Sequence, residues 1–291
     1  MGQTGNSEFV QPDDFGFQSF GNRKVFGQQD VNSMRLAFDH KIFKHINESS
    51  VKEHGRASRA LTLVEQLLQV WYVKYPLAVF EKIIGFSLAL PLPIYSSIVY
   101  WIITNSRGLP HFAGMYLRAL YYRQKLGFME SNVFIDQGVY FAYPRSVELS
   151  EFSYIDKNVI VMSKSARVGR RVHIAPNVFV SGGGDFEIED YACIATSSNI
   201  ITSTEILKDG ARCSGPMVSA HQRNVIRSKV LIKKDAFIGA NATILPGVVI
   251  EQGSVIGAGV TVSKSTDPWG IYVGGKTQRI FDRTPVKWED D

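Results

Sequence analysis

Cysteine is scarce: only Cys193 and Cys213 occur in 291 residues. Two thiols exclude a disulfide-stapled secreted scaffold and a four-cysteine zinc site, and they point to a reducing compartment. No basic stretch followed by an apolar run opens residues 1–8, so no secretory leader is expected. There is no arginine-rich block, zinc-finger spacing or RNP pattern, which speaks against a nucleic-acid ligand. Charge of one sign is only mildly in excess, at +5 with pI near 9.1. That balance suits a protein that handles phosphates or lies on an anionic surface. The 45% hydrophobic and 20% charged residues exclude a disordered chain, and the 25 glycines follow no collagen period.

What is present falls into three stretches. Residues 1–59 are polar with little periodicity and read as a loosely ordered tail, with one helix expected near Val31–Ile46. Residues 60–127 change character. Apolar residues recur at helical spacing from Leu61 to Trp71. Residues 83–106 then carry no charge for 24 positions, long enough to cross a hydrocarbon core as one helix. Pro91 and Pro93 break that run. The expectation is therefore two half-helices forming a re-entrant or surface-lying hairpin. Tyr95, Tyr100 and Trp101 are side chains suited to an interface. Arg107, Arg118, Arg123 and Lys125 follow, the last three on a helix expected over Phe112–Leu126. Basic residues beside an apolar segment point to membrane-surface association. The alternative is a hairpin buried against another subunit.

The third stretch, residues 128–271, has a period of six. Ile232, Ile238, Ile244, Ile250, Ile256 and Val262 follow one another without a slip. Before them come Leu149, Ile155 and Val161, then Val168, Ile174 and Val180, then Ile188, Ile194 and Ile200. Four residues after most of these stands a small or β-branched residue, such as Ser153, Val159, Ala192, Ala236 or Ser254. Neither a helix nor an alternating strand has a period of six; short strands joined by tight corners and stacked into a parallel β-helix do. Fifteen such positions at three per coil give about five coils. Gly239, Gly247, Gly253, Gly257 and Gly259 are expected to supply corner conformations. The register slips at Gly182–Asp185 and is lost over residues 203–229, a long insertion of the kind that often carries function. Residues 272–291 form a tail, and Trp269 is expected to plug the end of the core.

These hexads, with their glycines and insertion, resemble the hexapeptide-repeat acyltransferases over roughly Phe128–Arg283, about half of the chain. The stretch from Ala236 to Val262, AFIGANATILPGVVIEQGSVIGAGVTV, carries the resemblance best. It is similar to the last coils of sugar O- and N-acetyltransferases from polysaccharide gene clusters. The resemblance implies a left-handed parallel β-helix, a homotrimer with sites in the grooves between subunits, acetyl-CoA as co-substrate, no metal, and a histidine as general base. An imidazole that takes the acceptor's proton contributes about 10²–10⁴-fold. Of the six histidines, His173 and His221 lie within the repeats or their insertion, and the choice between them stays open. Gly239 and Ala240 are the implied oxyanion donors, and Gly257 and Ala258 would flank the pantetheine arm. Lys264, Lys276 and Arg279 would meet the coenzyme's phosphates. The family's Gly-x-Pro-Ala-Lys ending reads Gly274-Gly275-Lys276-Thr277-Gln278 here.

Three functions compete. One is O-acetylation of a glycan or lipid-linked sugar by a cytoplasmic enzyme on the inner membrane face. Another is N-acetylation of an amino sugar on a nucleotide carrier. The third is a non-catalytic assembly module. A β-helical carbonic anhydrase needs three histidines on zinc, more than the repeats hold. A sugar nucleotidyltransferase needs a glycine-rich phosphate loop before the repeats, and none is visible.

Overall fold

The computed structural model describes residues 35–54, 57–88, 90, 93–105, 111–206, 215–217, 220–274 and 279–282. Short strands wind into a three-sided parallel solenoid. Face A stacks Phe128–Met129, Val147–Leu149, Ser165–Val168, Asp185–Ile188, Val230–Ile232 and Val249–Ile250. Face B stacks Phe134–Ile135, Tyr154–Ile155, His173–Ile174, Cys193–Ile194, Phe237–Ile238, Val255–Ile256 and Gly270–Tyr272, with Arg279–Asp282 added antiparallel. Face C stacks Tyr140–Phe141, Ile160–Val161, Phe179–Ser181, Asn199–Ile201, Thr243–Ile244 and Thr261–Val262.

There are thus six complete coils and the start of a seventh, not five. The first coil places Met129, Ile135 and Phe141 inward, again six residues apart, each directly below a hexad aliphatic of the next. The turn Pro144–Ser146 then lengthens the connection to Leu149, which breaks the period in the sequence but not in the stack. The core consists of three inward columns, and Ile135, Ile155, Ile174, Ile194, Ile238 and Ile256 form the one under face B. Each such side chain removes a few kcal/mol of apolar surface from water only because a neighbour covers it above and below.

Corner conformation is divided among more residue types than glycine. Gly247, Gly253 and Gly259 have positive φ, as do Asn158, Asn177, Ser197, Asp235 and Asn241. Gly239 and Gly257 do not, and are small for another reason. A Cβ on Gly239 would sit 2.6 Å from the Ala258 nitrogen, and one on Gly257 would sit 3.0 Å from Val273. Trp269 is not the core plug. It covers the Gly253 corner, and the buried Tyr272 ends the inward column, its hydroxyl accepting the Asp267 amide at 2.6 Å.

The insertion leaves at the edge between faces C and A as an antiparallel hairpin of Ser203–Ile206 and Asn224–Arg227. The glycine bulge one coil earlier belongs to the same feature. A Cβ on Gly184 would lie 2.5 Å from the carbonyls of both Thr202 and Ser228, so the hairpin's root needs a bare backbone beneath it.

Among the described residues five helices precede the solenoid: α1 (His40–His54), α2 (Arg59–Gln69), α3 (Trp71–Leu88), α4 (Pro93–Asn105) and α5 (His111–Lys125). Among the described residues the first helix begins at His40, with residues 31–34 of the expected Val31–Ile46 helix outside them, and the described residues just before His40 are packed. Leu36, Ala37 and Phe38 are buried. Their backbone is tied down by Ser131 Oγ to the Leu36 carbonyl (2.6 Å), the Asn132 amide to the Ala37 carbonyl (2.8 Å), and the Ala37 amide to Glu81 (2.7 Å). Helix α5 covers the open end of the solenoid, where Ala119, Leu120, Tyr122 and Leu126 join its core. Among the described residues no helix is long and apolar enough to cross a membrane.

Candidate active site

Face B turns into face C at a corner whose first residue repeats through the stack: Asp136, Asp156, Ala175, Ala195, Gly239 and Gly257. Each donates its amide to a carbonyl of the next coil, at 2.7–3.0 Å. The next residues are Gln137, Lys157, Pro176, Thr196, Ala240 and Ala258. The amides of Gln137 and Lys157 are capped by the preceding aspartates, both at 2.7 Å. Those of Thr196, Ala240 and Ala258 have no acceptor among the described residues. The edge therefore has an acidic half at its first coils and a narrow half, with small side chains and available N–H groups, at its last ones.

That geometry settles part of the glycine assignment. The Gly239 amide is spent on the Ile256 carbonyl (2.7 Å) and the Gly257 amide on Tyr272 (2.8 Å). Neither is available to an oxyanion. Ala240 and Ala258 carry the amides that are, and the glycines let the coils approach.

His173 stands on the outer side of face B, beside this edge. Its register partners are Tyr154 below and Cys193 above. The side chain is 43% exposed, and Nε2 lies 3.4 Å from Asp156 Oδ2. The Tyr154 ring stacks on the imidazole at 5.1 Å and 13°. The Tyr154 hydroxyl donates to Asp136 Oδ2 at 3.3 Å. Asp136 is buried against Arg118 (3.3 Å), whose side chain is 3% exposed and whose Nε donates to the Ile135 carbonyl at 2.7 Å. Burial, and then the negative charges of Asp156 and Asp136, push the Tyr154 phenol well above its ordinary pKa, so it acts as a donor. Burial draws the Arg118 guanidinium down, opposed by Asp136. A chain of contacts thus runs from α5 through Asp136 and Tyr154 to His173.

A carboxylate facing Nε2 favours the tautomer with its proton there, leaving the Nδ1 lone pair for a proton acceptor. Asp156 thus orients the imidazole. Sequence reading singled out His173 but missed Asp156, Tyr154, Asp136 and Arg118. A signal existed: Phe134-Ile135-Asp136 and Tyr154-Ile155-Asp156 repeat the same phrase twenty residues apart.

The remaining assigned residues lie elsewhere. His221 sits in the exposed turn Ala220–Gln222 of the insertion, which leaves at the edge opposite face B, and it has no hydrogen-bond partner among the described residues. One chain does not bring it to His173. Lys264 is exposed just after the last strand of face C. Arg279 begins the antiparallel strand on face B. Lys276 and Cys213 fall outside the described residues. Burial raises the pKa of the Cys193 thiol.

A solenoid of hexads with an oriented histidine beside a column of small corner residues defines a class, and comparison with known proteins agrees. The family described as bacterial transferase hexapeptide (six repeats) matches residues 229–264. The N-acyltransferase AntD of Bacillus cereus, crystallised as a single-residue mutant with dTDP-4-amino-4,6-dideoxyglucose and coenzyme A, is 30% identical with a TM-score of 0.51. The match covers 56% of this chain and 87% of that one. The chain belongs to the hexapeptide-repeat acyltransferases. Among curated proteins it is 31% identical over 113 residues to the dTDP-4-amino-4,6-dideoxy-D-glucose acyltransferase of Escherichia coli, covering 39% of this chain and 58% of that protein. It is 29% identical over 144 residues to the galactoside O-acetyltransferase of Escherichia coli (strain K12), covering 49% and 57%. The chain thus spans a little over half the length of these two curated relatives.

Proposed function

We propose that this protein is an acetyl-CoA-dependent acetyltransferase that acts on a sugar hydroxyl of a glycan or lipid-linked saccharide, with His173 as general base. The observation that carries the reading is His173 Nε2 held 3.4 Å from Asp156, beside an edge whose later coils offer the Thr196, Ala240 and Ala258 amides. AntD, crystallised with 3-hydroxybutyryl-CoA, supports an acyl-CoA donor. The narrow half of the edge suits the pantetheine arm, and the acidic half suits a polyhydroxylated acceptor. Lys264, Lys276 and Arg279 are the cations assigned to the coenzyme's phosphates.

The chemistry asks little of the protein. His173 Nδ1 accepts the proton of the attacking hydroxyl as its oxygen bonds to the thioester carbonyl carbon. The Ala240 amide donates to the oxygen on which charge develops, a rigid donor that needs no reorganisation. When the carbon–sulfur bond breaks, the imidazolium returns its proton to the leaving thiolate. Asp156 keeps the ring in the required tautomer throughout.

Two further features belong to this reading. Helices α3 and α4 turn Trp71, Tyr75, Phe80, Ile83, Phe86 and Trp101 to solvent. The one acid on α3, Glu81, is turned inward, while Lys82 is exposed. An apolar, aromatic-rich face with a cation beside it fits an anionic lipid surface, and supports the reading of an enzyme on the cytoplasmic membrane face, where a lipid-linked acceptor concentrates. On face C, Ile160 and Phe179 are outward partners on successive coils and stay exposed, as a contact between copies in a homotrimer would need.

Similarity to AntD and to the Escherichia coli dideoxyglucose acyltransferase favours a second reading, N-acylation of a nucleotide-linked amino sugar. One experiment separates them. The enzyme is incubated with [¹⁴C]acetyl-CoA and either lipid-linked saccharides or dTDP-amino sugars, and the product is treated with mild alkali. Label released as acetate identifies an ester; label that stays identifies an amide. No transfer to either class, from folded protein, would sink both readings.

A further inference from the structure

A cavity of about 360 Å³ lies between α4, the end of α5 and the first coil, and none of its lining residues belongs to the His173 contacts. Ser97 and Tyr100 line it from α4, Tyr121, Tyr122 and Lys125 from α5, and Tyr140 from the first strand of face C. Among the described residues no acid lines it. Tyr122 donates its hydroxyl to the Val139 carbonyl at 2.7 Å. The Tyr100 and Tyr121 rings lie 6.4 Å apart, and Lys125 Nζ stands 5.6 Å from the Tyr121 ring. Burial, and then the neighbouring phenols, raise the pKa of Tyr100, so its hydroxyl stays protonated at neutral pH.

Ammonium groups only donate hydrogen bonds, and protonated phenols and hydroxyls readily do so. A cavity lined by one cation and several such donors, without a carboxylate among its described residues, selects an oxyanion. Its surroundings select further. Trp101, 66% exposed, stands one helical turn from Ser97, and Ile98 and Ile102 continue the apolar face outward from the mouth. A ligand seated here has its charged end among tyrosines and its remainder over apolar side chains.

We propose that this cavity binds the phosphate of an anionic lipid head group, one without a cationic choline, with Lys125 and the Tyr100 hydroxyl as its donors and the acyl chains lying along α3 and α4. The site rests on the lipid-surface reading of those helices, but is separate from acyl transfer. It would make membrane docking selective for a head group rather than merely apolar.

The test is co-flotation of the full chain with vesicles of phosphatidylcholine alone or mixed with phosphatidylglycerol, alongside thermal melting in sn-glycerol 1-phosphate. Phosphatidylglycerol should strengthen binding. Lys125→Gln should remove about fivefold of that gain. Tyr100→Phe, which changes no charge, should remove roughly threefold. Both variants should bind neutral vesicles like the parent and melt normally. If Tyr100→Phe and Lys125→Gln keep the parent's preference for phosphatidylglycerol, the proposal is overturned and diffuse attraction explains the binding. If no vesicle binds but glycerol phosphate stabilises the parent and not Lys125→Gln, the oxyanion site stands with a soluble ligand and the lipid-surface reading falls. If the parent binds both vesicle types equally, the helices dock on lipid and the cavity is no head-group site.

Discussion

At His173 the proposed chemistry turns on one neighbouring carboxylate. Asp156 lies 3.4 Å away, and Tyr154, stacked on the ring, is held by Asp136. His173→Ala is expected to lower kcat by about 10²–10⁴-fold while acetyl-CoA still stabilises the protein against heat. Asp156→Asn should cost roughly 10–100-fold, as for other carboxylates that orient a functional imidazole. His221→Ala measured beside them decides between the two histidines: a loss matching that of His173→Ala would move the base to the insertion. Gly239→Ala tests the packing explanation of that glycine. A Cβ 2.6–2.7 Å from Ala258 N, Gly257 C and Ile256 O has no flexible neighbour to displace. A loss of about 1–3 kcal/mol is expected by urea denaturation.

At the scale of elements, the hexads were legible because every coil must bury an aliphatic side chain at the same place. The first coil was not, because Pro144–Ser146 shifts the spacing between Phe141 and Leu149. Helix α1 starts late because Leu36–Phe38 form a strap: Leu36 packs with Leu68 and Ala78 of α2 and α3, while Ala37 and Phe38 join the solenoid core. Glu81 fastens that strap, accepting from the Ala37 amide and the Tyr116 hydroxyl, both at 2.7 Å. Burial raises its pKa above the ordinary 4.5, more than its hydrogen bonds lower it. A carboxyl whose native pKa is raised contributes its stability below the unfolded value and loses it as pH rises through the native one. Urea midpoints of the parent, relative to Glu81→Gln, should therefore fall as pH rises above 4.5; an unchanged difference would refute the linkage. The lipid-facing reading of α3 and α4 is tested by Trp71→Ser with Trp101→Ser. The double variant should lose most vesicle binding yet keep activity on a soluble acceptor.

For the whole molecule, donor binding and assembly are the quantities to measure. Saturating acetyl-CoA, a hundredfold above Kd, should stabilise the fold by about 2.7 kcal/mol. Sedimentation equilibrium should report a trimer, and Ile160→Asp with Phe179→Asp on the exposed side of face C should yield a smaller species. A monomeric parent that still transfers acetyl groups would remove the shared-groove arrangement.

The sequence alone determined the solenoid, its inward columns and the place where the register breaks, since a period of six is imposed locally by every coil. It also marked His173, which precedes a stacked Ile174 and so must point outward. Only the tertiary structure decided what His173 meets. Asp156 and Asp136 are 17 and 37 positions away in the chain and become neighbours because each coil returns to the same face. Which corner amides remain available, which glycines are small for a passing backbone, and which tyrosines gather around Lys125 likewise depend on stacking and helix docking. Those are contacts between distant segments, and no local pattern encodes them.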